Sequence, residues 1–544
     1  MLRLITIFLL LCVINKINCM TIVNPGPKYP PTKGEVWPKP QYESTEDIYY
    51  VFNPSNFKIK VTNHTCVILT CAIERYSYIV KTKSGVRPRE PVPGQRRERE
   101  VSGDPQPDAL RELHIELTAP CEDYPYLEMD ESYWMNISST SSLKSASVWG
   151  IMRGLETFAQ KFYLSDDMNE IRINASQVYD YPRYPHRGLL LDTSRHYISL
   201  SNILKTLDAM SMNKMNVFHW HIVDDQSFPY QSEKFPGLSS SGAFHPSMVY
   251  TKDDIARVVE YARVRGIRVL PEFDVPGHTR SWGNAYPNIL TECYRGNDVI
   301  GLGPMNPIRN VTYKLIRELF QEVQAWFPDK YLHVGGDEVD TDCWRSNPEI
   351  RKYMRDNNLN AGMLHALFMD NIIPLIGKGS KVIVWQEVFD ENVPLRNGTL
   401  VQVWKSLFVD EMVKVLQAGQ KVIFSSAWYL DDLNSEWSKL YGSDPRQMVR
   451  DATGSDSLLP NIVGGEACMW SEMVDDRNVI PRVWPRASAV AERLWSSEAV
   501  HPRSHYWNAS PPLEAYQRLE EHVCRMNRRG IAAQPASGPG FCLP

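Results

Sequence analysis

Between residues 188 and 470 the chain repeats one pattern: a short, almost continuously apolar run, a loop, then usually a helical stretch. The runs are Gly188–Asp192, Asn216–Asp224, Ile267–Asp274, Tyr331–Glu338, Val382–Glu387, Leu400–Trp404, Lys421–Ala427 and Ile462–Trp470. Helical spacing occupies Asp253–Arg265, Asn310–Trp326, Gly362–Ile376 and Asp410–Gln417. A strand that is apolar at successive positions, rather than alternate ones, is buried on both faces, the condition of a parallel sheet covered by helices. Eight such units in roughly 350 residues predict a (β/α)8 TIM barrel. A doubly wound open sheet is the competing fold, but it usually has fewer strands, and no GxGxxG follows the first run.

The ends of the runs carry the chemistry. They are Asp192, Asp224, Asp274, Asp337-Glu338, Glu387, Trp404, Ala427 followed by Trp428-Tyr429, and Trp470 followed by Glu472. Strand C-termini of a barrel converge on one mouth, where catalytic groups sit. Buried acids cost free energy unless paired, so packing alone does not gather them there. Acids beside aromatics point to sugars, because indole faces stack on pyranose rings while carboxylates bind hydroxyls and catalyse. Most of the fifteen tryptophans are expected in the core; Trp385, Trp404 and Trp470 stand apart by lying at or near strand ends.

Asp337 and Glu338 are adjacent, and neighbours on a strand point to opposite sides. Two such carboxyls do not flank a glycosidic bond as the usual catalytic pair does, about 5 Å apart in a retaining enzyme. One of them is better suited to the leaving oxygen, and the other to orienting a group that the substrate itself supplies. Substrate-assisted hydrolysis of that kind is an established exception to the two-carboxylate rule.

With 544 residues the chain exceeds one core, so a further domain is expected ahead of the barrel. Arg3 followed by the apolar run Leu4–Ile14 reads as a secretory signal over residues 1–19. Residues 20–182 form the expected accessory α/β domain and residues 183–544 the catalytic barrel, with Tyr181-Pro182-Arg183-Tyr184-Pro185 at the boundary. Within the accessory part, Val67–Val80 and Ala146–Phe162 have helical spacing, His114–Leu117 alternates like a strand, and Ser84–Pro107 reads as a mobile loop. Sequons at Asn63, Asn136, Asn174, Asn310, Asn397 and Asn508 agree with export. No later stretch is long and apolar enough for a membrane span. A net charge of −5, with the Arg-rich run 95–100 interleaved with acids, excludes no fold but gives no sign of a nucleic-acid partner. Setting aside Cys12 and Cys19 leaves eight cysteines, which spacing alone does not pair, although Cys524 and Cys542 bracket the tail and Cys293 and Cys343 follow strand ends. No CxxC or CxxC…HxxxH pattern appears, so neither a metal nor another cofactor is expected.

Leu332-His333-Val334-Gly335-Gly336-Asp337-Glu338 resembles the signature of the β-N-acetylhexosaminidases of glycoside hydrolase family 20. Supporting segments, in order along the barrel half, are 185–196, His219-Trp220-His221-Ile222-Val223-Asp224-Asp225, 271–278, 385–390 and 464–472. Together they closely resemble animal lysosomal hexosaminidase subunits, whereas the N-terminal part resembles the family's accessory domain more loosely. The resemblance implies an exo-acting, retaining enzyme that removes terminal β-linked GlcNAc and GalNAc through an oxazolinium intermediate. Glu338 would be acid and then base, and Asp337 would hold the acetamido N–H. Tyr429 would hold the acetamido oxygen, while Trp385, Trp404 and Trp470 wall that pocket and exclude water. Arg195, Asp431 and Glu472 would bind ring hydroxyls, and Asp224 with His278 would form a relay to Glu338, whose acid form a half-dry pocket would favour.

Two further expectations come with the resemblance. In the family, Asn then Arg after the Trp-Tyr-Leu segment goes with anionic substrates; here Asp431-Asp432 implies a preference for neutral sugars. Family cysteine spacing implies Cys66–Cys121, Cys293–Cys343 and Cys524–Cys542, with Cys71 and Cys468 free. Relatives commonly dimerise through the barrel, so a homodimer or heterodimer acting on a glycan or glycoconjugate, lysosomal or extracellular, is the expected setting. Three other readings compete: a two-carboxylate glycosidase for unsubstituted sugars, a silent barrel acting as a lectin, and a metallohydrolase built on the HxH of His219 and His221, for which no third ligand motif is evident.

Overall fold

The eight apolar runs become eight parallel strands that close on themselves. They are β1 (His186–Asp192), β2 (Val217–His221), β3 (Arg268–Glu272), β4 (Tyr331–His333), β5 (Lys381–Trp385), β6 (Leu400–Val403), β7 (Lys421–Phe424) and β8 (Ile462–Met469). Successive strands pair in order, and β8 returns to β1 with Glu466 opposite Gly188. The structure is a computed structural model that describes residues 28–83, 108–377, 379–500, 510–540 and 542. The expected signal segment, the loop Ser84–Pro107 and the sequon at Asn508 lie outside the described residues.

Seven of the eight strands stop short of the end of their run; of the acids and tryptophans that end a run, only Asp192 lies within a ladder. The run expected as strand up to Glu338 ends at His333, because Gly335 (φ +66°) and Gly336 (φ +98°) turn the chain into the left-handed region. Asp337 and Glu338 therefore sit on a turn, and their opposite placement cannot be read from strand alternation.

The barrel interior is layered. At its N-terminal end Val217, Leu270, Ile383, Leu400, Ile423 and Val463 form an apolar plug, capped by Leu127. Above it lies a polar layer, with His186, His219, Glu272, His333, Gln402 and Glu466 all fully buried. Branched apolar residues usually fill this position in such barrels. The mouth is floored by Leu190, Trp385 and Cys468.

Helices outside the barrel follow the apolar spacing of the sequence. Lys252–Arg263 starts at a capping box, in which Thr251 and Asp254 satisfy each other's backbone N–H. Asn310–Trp326 buries Leu315, Ile316, Leu319, Phe320 and Val323 against the strands. A hairpin, Leu290–Arg295 with Asp298–Met305, has no counterpart among the expected elements; Cys293–Cys343 ties it to the short helix Thr341–Ser346 that follows β4.

Ahead of the barrel, a mixed sheet runs in the order 58–63, 112–117, 141–145, 133–137, 171–180, 42–52 and 109–110, with 163–164 paired to 171–180. Helices Val67–Thr82 and Val148–Gln160 pack against it. The second is buried on every side because it lies between the sheet and the barrel. Gly150 permits that approach: a Cβ there would come 2.2 Å from the Ser132 carbonyl oxygen. Disulfides Cys66–Cys121 and Cys524–Cys542 complete the expected set, and Cys71 and Cys468 are free. Among the described residues no helix is long and apolar enough to cross a membrane.

Candidate active site

Glu338 stands at the mouth with its side chain 59% exposed, whereas the neighbouring Asp337 carboxyl is 12% exposed. The turn that separates them depends on close packing: Asp274 Oδ1 accepts the Gly336 N–H at 2.8 Å. A Cβ on Gly335 would lie 1.7 Å from that same oxygen. The half-dry environment expected around Glu338 surrounds Asp337 instead. Asp337 Oδ1 is buried and has no hydrogen-bond partner among the described residues. A buried acceptor of this kind calls for a donor from outside the protein.

His278, in the left-handed region at φ +55°, is central to the cluster. Its Nε2 lies 3.6 Å from Glu338 Oε2, 3.7 Å from Asp337 Oδ2 and 3.9 Å from Asp274 Oδ2. Its Nδ1 lies 3.2 Å from Asp224 Oδ1. Burial disfavours the charged ring, but Asp224 and Asp337 raise it to about 9, so it is cationic across the acid and neutral range. Asp224 is likewise desolvated, yet His221, His278 and Arg195 hold its carboxyl far below the usual range.

Asp274, one of the strand-end acids, supports this cluster from below. Burial and the adjacent Asp337 raise its carboxyl well above the ordinary value. Two carboxylates this close do not both ionise cheaply. Burial, and next the charge of Asp337, also raise Glu387, which accepts from Trp404 Nε1 at 3.0 Å and pairs with Lys405 at 2.8 Å.

Three tryptophans and a tyrosine make a box beside these acids. Ring centroids are 6.4 Å apart for Trp385–Trp404, 6.1 Å for Trp385–Trp470, 6.1 Å for Trp404–Tyr429 and 6.4 Å for Tyr429–Trp470. Trp385 is fixed by donating its Nε1–H to Glu272 Oε1 at 2.8 Å. A backbone bridge to Cys468 holds Tyr429, whose phenol burial pushes well above its usual range, so it remains a hydrogen-bond donor.

Arg195 crosses the mouth with its guanidinium 4.9 Å over the Trp470 ring. It reaches Asp192 Oδ2 at 3.3 Å and Asp224 Oδ2 at 2.9 Å. Asp192, another strand-end acid, also accepts the backbone N–H groups of Ser194 and Ser471. Asp431 and Glu472 are exposed at the rim. Partial burial of its carboxyl, assisted by Glu472, lifts Asp431 to about 6. The candidate catalytic and substrate-binding residues expected from the sequence therefore lie at or beneath one mouth.

Three groups bring potential metal ligands within 4.8 Å of one another: His219-Glu272-His333, Asp224-Asp225-His278 and Asp274-His278-Asp337. The third ligand missing from the HxH motif in sequence is thus supplied in space by Glu272 or His333. However, both ring nitrogens of His219, and both of His221, already face carboxylates at 2.6–3.1 Å. Protons in the hydrogen bonds of both His221 nitrogens and of His219 Nδ1 occupy lone pairs that a metal would need, whereas His219 Nε2 forms no hydrogen bond among the described residues.

Comparison with known proteins adds an independent line. The family profile described as "Glycosyl hydrolase family 20, catalytic domain" matches residues 184–498, and one described as "beta-acetyl hexosaminidase like" matches residues 36–161. The cat protein "Beta-hexosaminidase subunit beta" is 43% identical over 528 residues, 93% of each chain. Its human namesake is 48% identical over 440 residues, covering 79% of this chain and 76% of that one. The rat protein "Beta-hexosaminidase subunit alpha" is 42% identical over 525 residues, 93% of this chain and 94% of that one. Among solved structures, a chitobiase from Flavobacterium johnsoniae superposes with a TM-score of 0.78 at 30% identity, covering 91% of this chain and 73% of that one.

Proposed function

The chain belongs to glycosyl hydrolase family 20 and is an exo-acting β-hexosaminidase; from that premise we propose how its own residues carry the reaction. Glu338 is the acid/base, and Asp337 binds the 2-acetamido N–H of a terminal β-linked GlcNAc or GalNAc. The carrying observation is the pair itself: an exposed carboxyl beside a buried one whose Oδ1 lacks a partner, both next to an aromatic box.

With the N–H held by Asp337, the acetamido oxygen faces the anomeric carbon and bonds to it as the glycosidic C–O bond breaks. Glu338 gives its proton to the departing oxygen. Water then attacks the anomeric carbon of the oxazolinium ion, Glu338 takes the water proton, and the acetamido C–O bond to that carbon breaks, with overall retention. Trp385, Trp404 and Trp470 exclude water from the acetamido side, and Tyr429 donates to the acetamido oxygen. Arg195, braced by Asp192 and Asp224, binds ring hydroxyls, as do Asp431 and Glu472 at the rim.

The rim favours neutral sugars. The Asp432 carboxyl is half exposed and only loosely faced by Lys439 at 3.8 Å, so with Asp431 and Glu472 it repels a substrate sulfate or carboxylate. Export through a signal at residues 1–19, to the lysosome or the outside, accords with three disulfides and with exposed sequon asparagines at 63, 136, 310 and 397. Homodimeric or heterodimeric assembly is part of the same proposal.

The test is release of 4-nitrophenol from the β-glycosides of GlcNAc, GalNAc, glucose and 6-sulfo-GlcNAc at pH 4–6, by wild type and Glu338→Gln. Strong release from the two neutral N-acetyl sugars alone, abolished in the variant, is expected. Equal release from glucose would refute substrate assistance.

A further inference from the structure

Taking Glu338 as the acid/base, we infer that the relay behind it does not end at Asp224 but continues down the barrel axis as Asp224–His221–Glu272–His219–Glu466, with His221 and His219 as positioning residues that are charged over the enzyme's acid working range.

Each of these two rings lies between two carboxylates. His221 Nδ1 is 2.6 Å from Glu272 Oε2, and its Nε2 is 2.6 Å from Asp224 Oδ2. His219 Nδ1 is 2.7 Å from Glu466 Oε2, and its Nε2 is 3.1 Å from Glu272 Oε2. A neutral imidazole has one N–H, so it can donate to only one of its two partners. The acids are themselves held in the ionised form by other donors. Asp224 receives Arg195 at 2.9 Å, Glu272 receives Trp385 Nε1 at 2.8 Å, and Glu466 receives Gln402 Nε2 at 3.0 Å. His221 is hydrogen-bonded at both nitrogens, and satisfying both puts two protons on its ring; His219 hydrogen-bonds through Nδ1, and its Nε2 faces Glu272 as an ion pair at 3.1 Å that a second proton completes. Charges then alternate along the column, each charged ring having a carboxylate on both sides, which is the arrangement in which buried charge persists.

Groups from all eight strands face the column. β1 adds His186, whose Nε2 is 2.7 Å from Glu466, and β4 adds His333, whose Nδ1 is 3.0 Å from Glu272. β5, β6 and β7 contribute the neutral Trp385, Gln402 and, through Gln402, Ser425; the Trp470 ring that follows β8 lies 4.8 Å from His221. β3 also brings the buried Arg268, whose charge acts on Glu466 and His186, while His333 acts on Glu272; His219 and His221 still face a carboxylate at each nitrogen. The direction of titration agrees: burial opposes the charged rings, but the flanking carboxylates raise His219 to about 9 and His221 to about 10.

The column matters for a reaction run in acid. An isolated aspartate begins to take up a proton near pH 4. With His221 charged behind it, Asp224 stays ionised and keeps His278 oriented toward Glu338. The HxH motif is thereby explained, since residues i and i+2 of β2 both point into the barrel.

The experiment compares pH profiles of kcat/KM, on 4-nitrophenyl β-GlcNAc, for wild type, His221→Gln, Glu466→Gln and Glu338→Gln. Losing the positive charge of His221 leaves excess negative charge beneath Glu338, so its proton is held more tightly. The basic limb is expected to move up by roughly half to one pH unit, with kcat about tenfold lower and KM within about threefold. Losing the negative charge of Glu466, which is farther away, should move the limb down by less. A merely structural role lowers yield or kcat without opposite shifts from opposite charges. Limbs that stay fixed, or move in the same direction, overturn the column while leaving the loss in Glu338→Gln intact; full activity in Glu338→Gln overturns the site reading and the column with it. Should the variants not fold, histidine-selective 15N NMR of the wild-type protein decides: both nitrogens of His219 and His221 protonated from pH 4.5 to 8 supports the column, and a neutral His221 overturns it. A stoichiometric divalent metal found by elemental analysis would also overturn it.

Discussion

Asp337 and Glu338 differ more in surroundings than adjacency in sequence suggests, and their substitution should separate accordingly. Asp337→Asn keeps the shape but presents an amide where the substrate N–H needs an acceptor. Loss of kcat by roughly a hundredfold or more is expected, with a small change in KM, because the interaction strengthens as the acetamido oxygen attacks. Steady-state kinetics on the GlcNAc glycoside check this. At the rim, Asp431 is lifted to about 6 by partial burial and then by Glu472. An acid raised in this way is charged above that pH and mostly neutral below it. Discrimination against 6-sulfo-GlcNAc should therefore weaken as pH falls from 7 to 4.5, and the ratio of kcat/KM for the two sugars across that range measures it. Asp192 and Asp274 were visible as strand-end acids, yet the bracing of Arg195 by Asp192 and of the Gly335-Gly336 turn by Asp274 joins residues that no spacing rule connects.

At the scale of elements, the turn after β4 sets the catalytic geometry. Gly335→Ala would require a left-handed backbone and place a methyl carbon 1.7 Å from Asp274 Oδ1. The expected outcome is a folded protein that has lost about a hundredfold in kcat, with unchanged far-ultraviolet circular dichroism, because the displaced group is Asp337 rather than the barrel core. An enzyme of near-normal activity would show that the turn tolerates the side chain. All eight strands were legible because burial on both faces leaves continuous apolar runs. Their C-terminal limits were not: an acid following valines looks like a strand residue until its backbone turns to bring the carboxyl into the mouth. In the accessory sheet, strands such as Tyr42–Phe52 and Tyr133–Ile137 were missed, since one of their faces is open and polar residues interrupt the run.

Over the whole molecule, the two domains share buried charge. Glu131, ahead of the barrel, accepts Arg153 at 2.8 Å and Arg187 of β1 at 2.6 Å, and Lys214 of the barrel pairs with Asp180 at 2.7 Å. A barrel expressed without residues 1–182 would leave Arg187 and Lys214 without these partners, at about 3–5 kcal/mol for each broken buried pair. Little soluble barrel is expected from that truncation; a monodisperse, thermally cooperative product would refute the dependence. The histidine column adds a pH dependence. His219, His221 and His278 have folded values of about 9, 10 and 9, raised above the ordinary value near 6.5 by their carboxylates despite burial. Their stabilisation is complete below about pH 6.5 and is lost as pH rises through 9–10. The Tm should fall progressively between about pH 6.5 and pH 10, by an amount reduced in His221→Gln, as calorimetry between pH 5 and 10 would measure.

The sequence by itself determined the barrel, the mouth and the acids around it, because burial on both faces of a strand and chemistry at strand ends leave local, periodic marks. It also determined the family, through short segments whose residues stand in fixed order. Only the tertiary structure decided which of two adjacent carboxyls is dry, what braces Arg195, and that the HxH pair faces carboxylates rather than an open ligand position. Those outcomes depend on which side chains from separate strands meet inside a closed barrel, and the charge each one carries is set by that meeting rather than by its neighbours in the chain.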